Sequence, residues 1–171
     1  MPKLSAGILL YRKAGNGYEV LLVHPGGPFW AKKDNGAWSI PKGEFAQGED
    51  TFIAAKREFE EEVGAPPPTG DYQPLGEFKQ PSGKIVHAYM LASDFDLEKF
   101  TCNMFEMEWP PKSGKMQEFP ENDKAAWMSL AKATQKLVKG QVPIIDRLAT
   151  HLGVAIGAPE PTAEPPQTSL F

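Results

Sequence analysis

The sequence has little of three features that would each indicate a particular class of protein. Cys102 is its one cysteine, so no disulfide can form within the chain, and a reducing cytoplasm fits this composition. No apolar run approaches the roughly 20 residues that cross a bilayer, which excludes a membrane-spanning helix. The first residues have too short an apolar stretch, and no small-residue cleavage site, for a secretory signal. We therefore expect a cytoplasmic protein with no membrane partner.

An excess of basic residues is also missing. The chain has 18 Lys and Arg against 22 Asp and Glu, which gives a formal net charge of −4. Proteins that bind bulk nucleic acid usually carry a basic surface, so we expect no such binding here. An acidic protein can still bind a polyphosphate if it supplies a divalent metal at the contact. The expected partner is therefore a small molecule; nothing in the sequence indicates the oligomeric state.

What the sequence does contain is an interleaved series of strand and helix patterns. Its length of 171 residues suits one domain, which we place at residues 1–156. From residue 157 the composition changes to Pro, Glu, Ala and Thr, which predicts a disordered tail over 157–171. The pattern predicts an α/β layered fold. We expect strands at 5–12, 18–24, 72–79, 84–92, 103–109 and 126–130, helices at 50–63, from about 131 and at 142–152, and a long loop at 110–124.

The helix predicted at 50–63 carries the most informative pattern. Asp50 is a good N-cap, and Gly64 is a good residue to end the helix. Its apolar residues fall on one face at steps of three, four and four: Phe52, Ala55, Phe59 and Val63. Glu58, Glu61 and Glu62 are spaced i, i+3 and i+4, so they form one carboxylate cluster beside that face.

Such a cluster has two interpretations. Runs of like charge are usually a solvated surface, and an isolated acidic run would favour that reading. However, like charges at this spacing repel, and these lie toward the negative end of the helix dipole. A nearby cation would relieve the repulsion. Lys56 and Arg57 could supply part of it, and Mg²⁺, which prefers carboxylate oxygens and shares its shell with substrate phosphates, would supply it better.

The wider pattern favours the metal interpretation because residues 43–65 resemble the Nudix box. The positions that match are Gly43, Glu49, Arg57, Glu58, Phe59, Glu61, Glu62, Gly64 and Ala65. Seven fixed identities would match by chance with a probability on the order of 10⁻⁸ per start position. The other two positions, Phe59 and Ala65, are apolar as the box requires. Phe59 is bulkier and Ala65 smaller than is usual there, which concerns packing rather than chemistry.

The resemblance to the Nudix hydrolases implies a fold and a set of roles. The family fold is an α/β/α sandwich around a mixed sheet. By the resemblance, Glu58, Glu61 and Glu62 bind Mg²⁺ or Mn²⁺ and carry catalysis, and the backbone carbonyl of Gly43 joins them as a ligand. Glu49 and Arg57 correspond to a salt bridge that supports the loop before the helix. No organic cofactor is implied.

A catalytic base outside the box is less clear. Many relatives place a Glu directly before the residue that matches Trp127, but here that position is Ala126. The preceding loop offers Glu118, Glu121 and Asp123. We favour Glu118 or Glu121, and each could equally be a solvated charge.

Residues 38–43, WSIPKG, resemble the diadenosine polyphosphate hydrolase branch of the family. Lys42 is then a candidate to bind phosphate, although it could merely screen the acids. Phe29 and Trp30 could stack on a base, whereas Trp38 fits the core better. We expect hydrolysis of a phosphoanhydride in a dinucleoside polyphosphate. The alternatives are a nucleoside triphosphate pyrophosphohydrolase and a nucleotide-binding module without turnover.

Overall fold

A computed structural model of the chain describes residues 2–101 and 103–157. Its centre is a six-stranded mixed sheet with the strand order β4-β5-β1-β2-β8, in which β3 also pairs with β1. The strands and helices are β1 (Leu4–Ala14), β2 (Gly17–Pro25), β3 (Lys42–Glu44), α1 (Thr51–Val63), β4 (Gln73–Lys79), β5 (Ile85–Ala92), β6 (Met104–Glu108), β7 (Met116–Pro120), β8 (Asn122–Ser129), α2 (Leu130–Lys136) and α3 (Val142–Leu152).

The sheet buries both of its faces, which makes the molecule an α/β/α sandwich. Along β1, Ile8 and Leu10 pack under α1, whereas Leu9 packs on the opposite face with residues of α2 and α3. This alternation follows from the two-residue period of a strand. All three side chains are fully buried. The predicted fold class is confirmed.

One parallel pair holds the sheet together at its centre. β1 and β5 run parallel over eight registered pairs from Leu4–Ile85 to Tyr11–Ala92, while the other neighbouring strands are antiparallel. The chain between β1 and β5 is long enough to contain α1, as a parallel connection requires. That crossover places α1 on one face of the sheet, directly above β1.

The structure differs from the sequence-based prediction in residues 110–124. We expected a long loop, but these residues contain β7 and the start of β8. β6 and β7 form a separate two-stranded hairpin that is largely exposed to solvent. A strand without a buried face needs no alternation of apolar and polar residues, so its sequence carries no periodic signal.

Two predictions concern the tail of the chain and membrane-spanning helices. Residues 158–171 fall outside the described range, so the predicted tail there stays a prediction. Within residues 2–101 and 103–157, no helix is both long and apolar enough to cross a membrane.

Candidate active site

A groove of about 580 Å³ brings several of the predicted site residues together. One wall carries Glu62 of α1 with Glu121 and Asn122 at the start of β8. The rest of the lining includes Lys42 from β3, the turn between β4 and β5, and the segment that connects α2 with α3. A larger cavity, of about 740 Å³, lies beside Arg12 and Trp127, but it contains none of the acids of α1. The groove is therefore the candidate active site.

Helix α1 is fixed at its N-terminus by the cap that its sequence predicts. The Asp50 carboxylate accepts a hydrogen bond of 2.9 Å from the backbone N–H of Ile53. This bond satisfies one of the free N–H groups of the first turn. Ala54, Ala55, Phe59 and Val63 are buried against the sheet.

Glu58 lies on the buried side of this helix, not beside it as the sequence suggested. Its side chain is packed directly against the backbone of Gly43 in β3. A Cβ atom added at Gly43 would lie 1.6 Å from Glu58 Oε1. Residue 43 therefore has to be glycine for the Glu58 carboxylate to occupy this position. Burial, and next the charge of Glu61, raise the pKa of Glu58.

Arg57 joins the acids of α1 to the loop that precedes the helix. Its Nη1 contacts a carboxylate oxygen of Glu49, its Nη2 lies 3.2 Å from Glu58 Oε2, and its Nε lies 3.9 Å from Glu61 Oε1. The hydrogen bond to Glu49 is the largest of the effects that raise the pKa of Arg57. Glu49 and Arg57 thus form the ion pair that the resemblance implies.

Glu62 and Lys42 line the groove together. Burial raises the pKa of Glu62 to about 6, with a hydrogen bond from Asn122 opposing the shift and the charge of Glu121 adding to it. Burial, and next the charge of Lys84, lower the pKa of Lys42. Among the described residues, the Lys42 ammonium has no hydrogen-bond acceptor and no carboxylate within 4.0 Å. The groove therefore contains a desolvated cation without a direct partner.

The C-terminal end of α1 is tied to the strands beside it. The last carbonyls of a helix lack partners inside the helix. Here those of residues 60–63 accept hydrogen bonds from Gly64 N, Asn103 Nδ2, Asn122 Nδ2 and Thr101 N, at 2.8 to 3.0 Å. Gly64 adopts the left-handed conformation at φ 84°, as a residue that ends a helix often does.

The two candidates for the catalytic base lie in different places. Glu121 is the single residue between β7 and β8. Its N–H donates to Asn103 O at 2.8 Å, and its carbonyl accepts from Gly26 N at 2.9 Å. Its carboxylate lies near Glu62 at the groove. Glu118 is exposed in the middle of β7, opposite Glu106, and it does not line the groove.

The donor atoms suit a hard divalent cation, although the side chains do not converge on one point. In the described part of the chain, no three His, Cys, Asp or Glu side chains form a group that could hold a metal ion. Glu58 and Glu61 lie beside Arg57, whereas Glu62 faces Lys42 and Glu121. Carboxylate and carbonyl oxygens are the ligands that Mg²⁺ and Mn²⁺ prefer. The donor chemistry therefore fits such an ion, which would compete with Arg57 for Glu58 and Glu61.

The aromatic residues divide between the groove and other places. Trp30 lines the groove at 36% exposure, with Lys33 Nζ 5.1 Å from its ring centroid. Phe29 does not line the groove and makes an edge contact with Trp109, the residue after β6. Trp38 is buried in the core, where its indole N–H donates to Asp34 at 2.7 Å.

Several groove residues have no signal in the sequence. Lys84 and Lys139 line the groove from the β4–β5 turn and from the segment between α2 and α3, and Asn122 lines it from β8. Nothing in their local sequence distinguishes them from other surface residues. They reach the groove because the sheet topology brings these distant segments together.

His24 supports the segment next to the groove. Its Nδ1 lies 2.7 Å from Asp123 Oδ1, and its Nε2 lies 2.5 Å from the carbonyl oxygen of Lys33. The side chain is fully buried. It connects β8 with the loop that contains Trp30, which is a structural role.

Comparisons with known proteins agree with this geometry. The family model for the NUDIX domain matches residues 1–148. A search of curated proteins gave no match. An Ap4A hydrolase of C. elegans is similar in structure, with a TM-score of 0.56 and 21% identity over 87% of this chain and 98% of that one.

Two further solved structures are similar at comparable scores. The NUDIX domain of Shewanella oneidensis NrtR, solved with ADP ribose, has a TM-score of 0.58 and 17% identity over 89% of each chain. The C-terminal domain of mouse MUTYH, solved in complex with human PCNA, has a TM-score of 0.58 and 19% identity over 91% of this chain and 92% of that one. At these identities the likeness shows the fold alone.

Proposed function

The chain belongs to the NUDIX domain family of pyrophosphohydrolases, and on that premise we propose that it hydrolyses a phosphoanhydride bond of a dinucleoside polyphosphate with Mg²⁺ or Mn²⁺. Glu58, Glu61, Glu62 and the carbonyl of Gly43 would hold the ion. When bound, the ion neutralises charge on the phosphate oxygens and lowers the pKa of a coordinated water.

The observation that carries this proposal is the arrangement of charge across the groove. Glu62 and Glu121 lie on one wall, and Lys42, Lys84 and Lys139 line the same groove. A polyphosphate needs cations along its length, and it needs a divalent ion where it approaches carboxylates. The unpaired Lys42 ammonium supplies a compact positive charge beside the acids of α1.

The side chains of the groove divide the remaining work. Lys42 binds a phosphate oxygen next to the bond that breaks, and so holds the phosphorus in reach of the attacking water. Glu121 accepts the proton of that water, because it is the candidate carboxylate that faces the groove beside Glu62. Arg57 holds Glu58 and Glu61 in position through its ion pairs.

The proposed substrate class rests on the resemblance of residues 38–43 and on the charged and aromatic residues that line the groove. Lys84 and Lys139 provide charge beyond Lys42 for a phosphate chain longer than a diphosphate. Trp30 provides an exposed ring on which a base could stack. The C. elegans protein described as an Ap4A hydrolase supports this choice, while the NrtR domain solved with ADP ribose supports a second class, nucleoside diphosphates joined to a sugar.

A substrate panel tests the proposal. The protein is incubated with diadenosine polyphosphates, nucleoside triphosphates and ADP ribose, each with Mg²⁺, Mn²⁺ or EDTA, and the products are identified by chromatography. Hydrolysis in ¹⁸O-labelled water shows which phosphorus is attacked. We expect metal-dependent turnover with the highest kcat/KM for a diadenosine polyphosphate. A preference for triphosphates would instead indicate a pyrophosphohydrolase of that class, and binding without turnover would indicate a binding module.

A matched pair of variants tests the metal assignment. Glu62→Gln removes a proposed ligand, and Glu60→Gln removes an exposed carboxylate two residues earlier on the same helix. We expect the first change to abolish turnover and the second to leave it unchanged, with both proteins folded by circular dichroism. Turnover that survives Glu62→Gln would refute the role of this residue.

A further inference from the structure

Two asparagines make the same kind of contact with the end of α1. Asn103 Nδ2 donates to the carbonyl oxygen of Glu61, and Asn122 Nδ2 donates to that of Glu62, each at 3.0 Å. Both bonds satisfy carbonyls that the helix itself leaves free. If helix capping were their whole role, the two side chains would be equivalent.

The surroundings of the two side chains differ. The Asn103 side chain is exposed and lies at the outer side of the helix end, in a pocket that Arg57 and Glu61 also line. Asn122 is 5% exposed and lines the groove. Its amide therefore contacts the backbone of Glu62 from within the groove that the Glu62 side chain also lines.

The backbone around Asn122 is fixed from the other side. Glu121, the residue before it, hydrogen-bonds Asn103 through its N–H and Gly26 through its carbonyl. The residue after it, Asp123, contacts the buried ring of His24 at 2.7 Å. A Cβ atom added at Gly26 would lie 2.1 Å from the carbonyl oxygen of Pro120, so this backbone is closely packed. Asn122 is therefore a short, rigid link between β8 and α1.

We propose that Asn122 is a positioning residue that holds Glu62 of α1 at a fixed distance from Glu121 on the adjoining strand. The inference rests on the proposed function, in which these two carboxylates act in one groove. They belong to segments about 60 residues apart in the chain, and the amide of Asn122 is the hydrogen-bonding link between those segments inside the groove. Without it, the carboxylates would sample a wider range of separations.

The expected loss follows from how steeply turnover depends on geometry. A misplacement of about 1 Å at a reacting centre can reduce the rate by about 100-fold. Asn122→Ala should therefore lower kcat by about 10- to 100-fold, whereas KM should change by less than about threefold because Lys42 still binds phosphate. Asn103→Ala, which removes the equivalent bond outside the groove, should change kcat by less than about threefold.

The experiment compares wild type, Asn122→Ala and Asn103→Ala in three measurements. These are kcat and KM with Mn²⁺, the affinity for Mn²⁺ alone by electron paramagnetic resonance, and Tm by circular dichroism. We expect Asn122→Ala to lower kcat and weaken Mn²⁺ binding at least threefold, while Asn103→Ala changes neither. If Asn122→Ala does not fold, Asn122→Ser, which keeps a small polar group, is measured with the same expectation.

Two results would overturn the inference. Equal losses of kcat in the two alanine variants would show that both asparagines act only as helix caps. A kcat for Asn122→Ala within threefold of wild type would show that the link has no effect on the reaction. If wild type hydrolysed none of the nucleotides, the proposed function would fail, and the Mn²⁺ affinities of the two variants would still decide whether Asn122 positions Glu62.

Discussion

Replacing Gly43 with alanine tests how closely the backbone of β3 fits the Glu58 carboxylate. The added Cβ would lie 1.6 Å from Glu58 Oε1 and 2.3 Å from its Cδ, far inside van der Waals contact. Gly43 does not have a positive φ, so alanine brings no backbone strain of its own. The clash has to be relieved by movement of the Glu58 side chain, by about 2 Å if ordinary contact is to be restored.

Gly43→Ala should lower the free energy of unfolding only slightly, but it should lower kcat strongly. The obstructing atoms are the end of a flexible side chain, and a displaced rotamer costs on the order of 0.5–1.5 kcal/mol. The same displacement moves a proposed metal ligand by about 2 Å, and a misplacement of about 1 Å is already enough to reduce a rate by about 100-fold. We therefore expect Gly43→Ala to lose about two orders of magnitude in kcat and to remain folded.

The assay needs a control glycine and a partial reversal. Gly17→Ala is the control, since nothing lies within 4 Å of a Cβ at that position and its φ is not positive. We expect its Tm and kcat to stay near wild type. Adding Glu58→Asp to Gly43→Ala shortens the obstructing side chain and should restore part of the lost stability in urea unfolding. Wild-type kcat in Gly43→Ala would refute the claim that Glu58 must lie against Gly43 for turnover.

Three other substitutions give separate tests. Lys42→Met should raise KM at least tenfold and leave Tm equal or higher, because a half-buried cation without a direct partner is costly to desolvate. An unchanged KM would contradict phosphate binding. Glu121→Gln should lower kcat by about 100-fold or more, which is the usual contribution of a general base, whereas Glu118→Gln should have no effect on kcat. The reverse pattern would contradict the choice of Glu121 as the base. Arg57→Lys should lower kcat. The free energy of unfolding in urea should change by less than about 1 kcal/mol, because the ion pairs of Arg57 are partly exposed. A larger loss of stability would show a structural role instead.

The parts of the fold that could be predicted from the sequence depend on short-range signals. The bounds of α1 follow from a capping carboxylate at Asp50 and from a glycine at position 64 with prolines after it. The strands of the β1–β2 hairpin were expected at 5–12 and 18–24, and the tight turn between them contains Gly15 at a φ of 58°. The interleaving of these elements predicts the α/β class, whereas the α/β/α sandwich was implied by the resemblance of residues 43–65.

The site could be predicted only as far as its motif extends. Residues 43–65 identify Gly43, Glu49, Arg57 and the acids of α1, and the structure brings Arg57 together with Glu49, Glu58 and Glu61. The burial of Glu58 depends on the space that a glycine leaves on another strand. No spacing rule within the helix contains that information.

The remaining features of the site depend on contacts between distant residues. Asn122 reaches Glu62 from 60 residues away, and Lys139 reaches the groove from the segment between α2 and α3. The β6–β7 hairpin has no buried face, so its second strand was hidden in what looked like a loop. The choice between Glu118 and Glu121 was open for the same reason, because both lie in that stretch.

A crystal structure of the protein grown with Mn²⁺, with data collected at the manganese absorption edge, tests most directly whether the acids of α1 bind a metal ion. We expect an anomalous peak at the C-terminal half of α1, with carboxylate oxygens of Glu58, Glu61 or Glu62 and the carbonyl of Gly43 at about 2.0–2.3 Å, the range for a small divalent ion with oxygen ligands. A crystal saturated with Mn²⁺ that shows no peak there, and in which Glu58 and Glu61 still pair with Arg57, would contradict the proposed metal site.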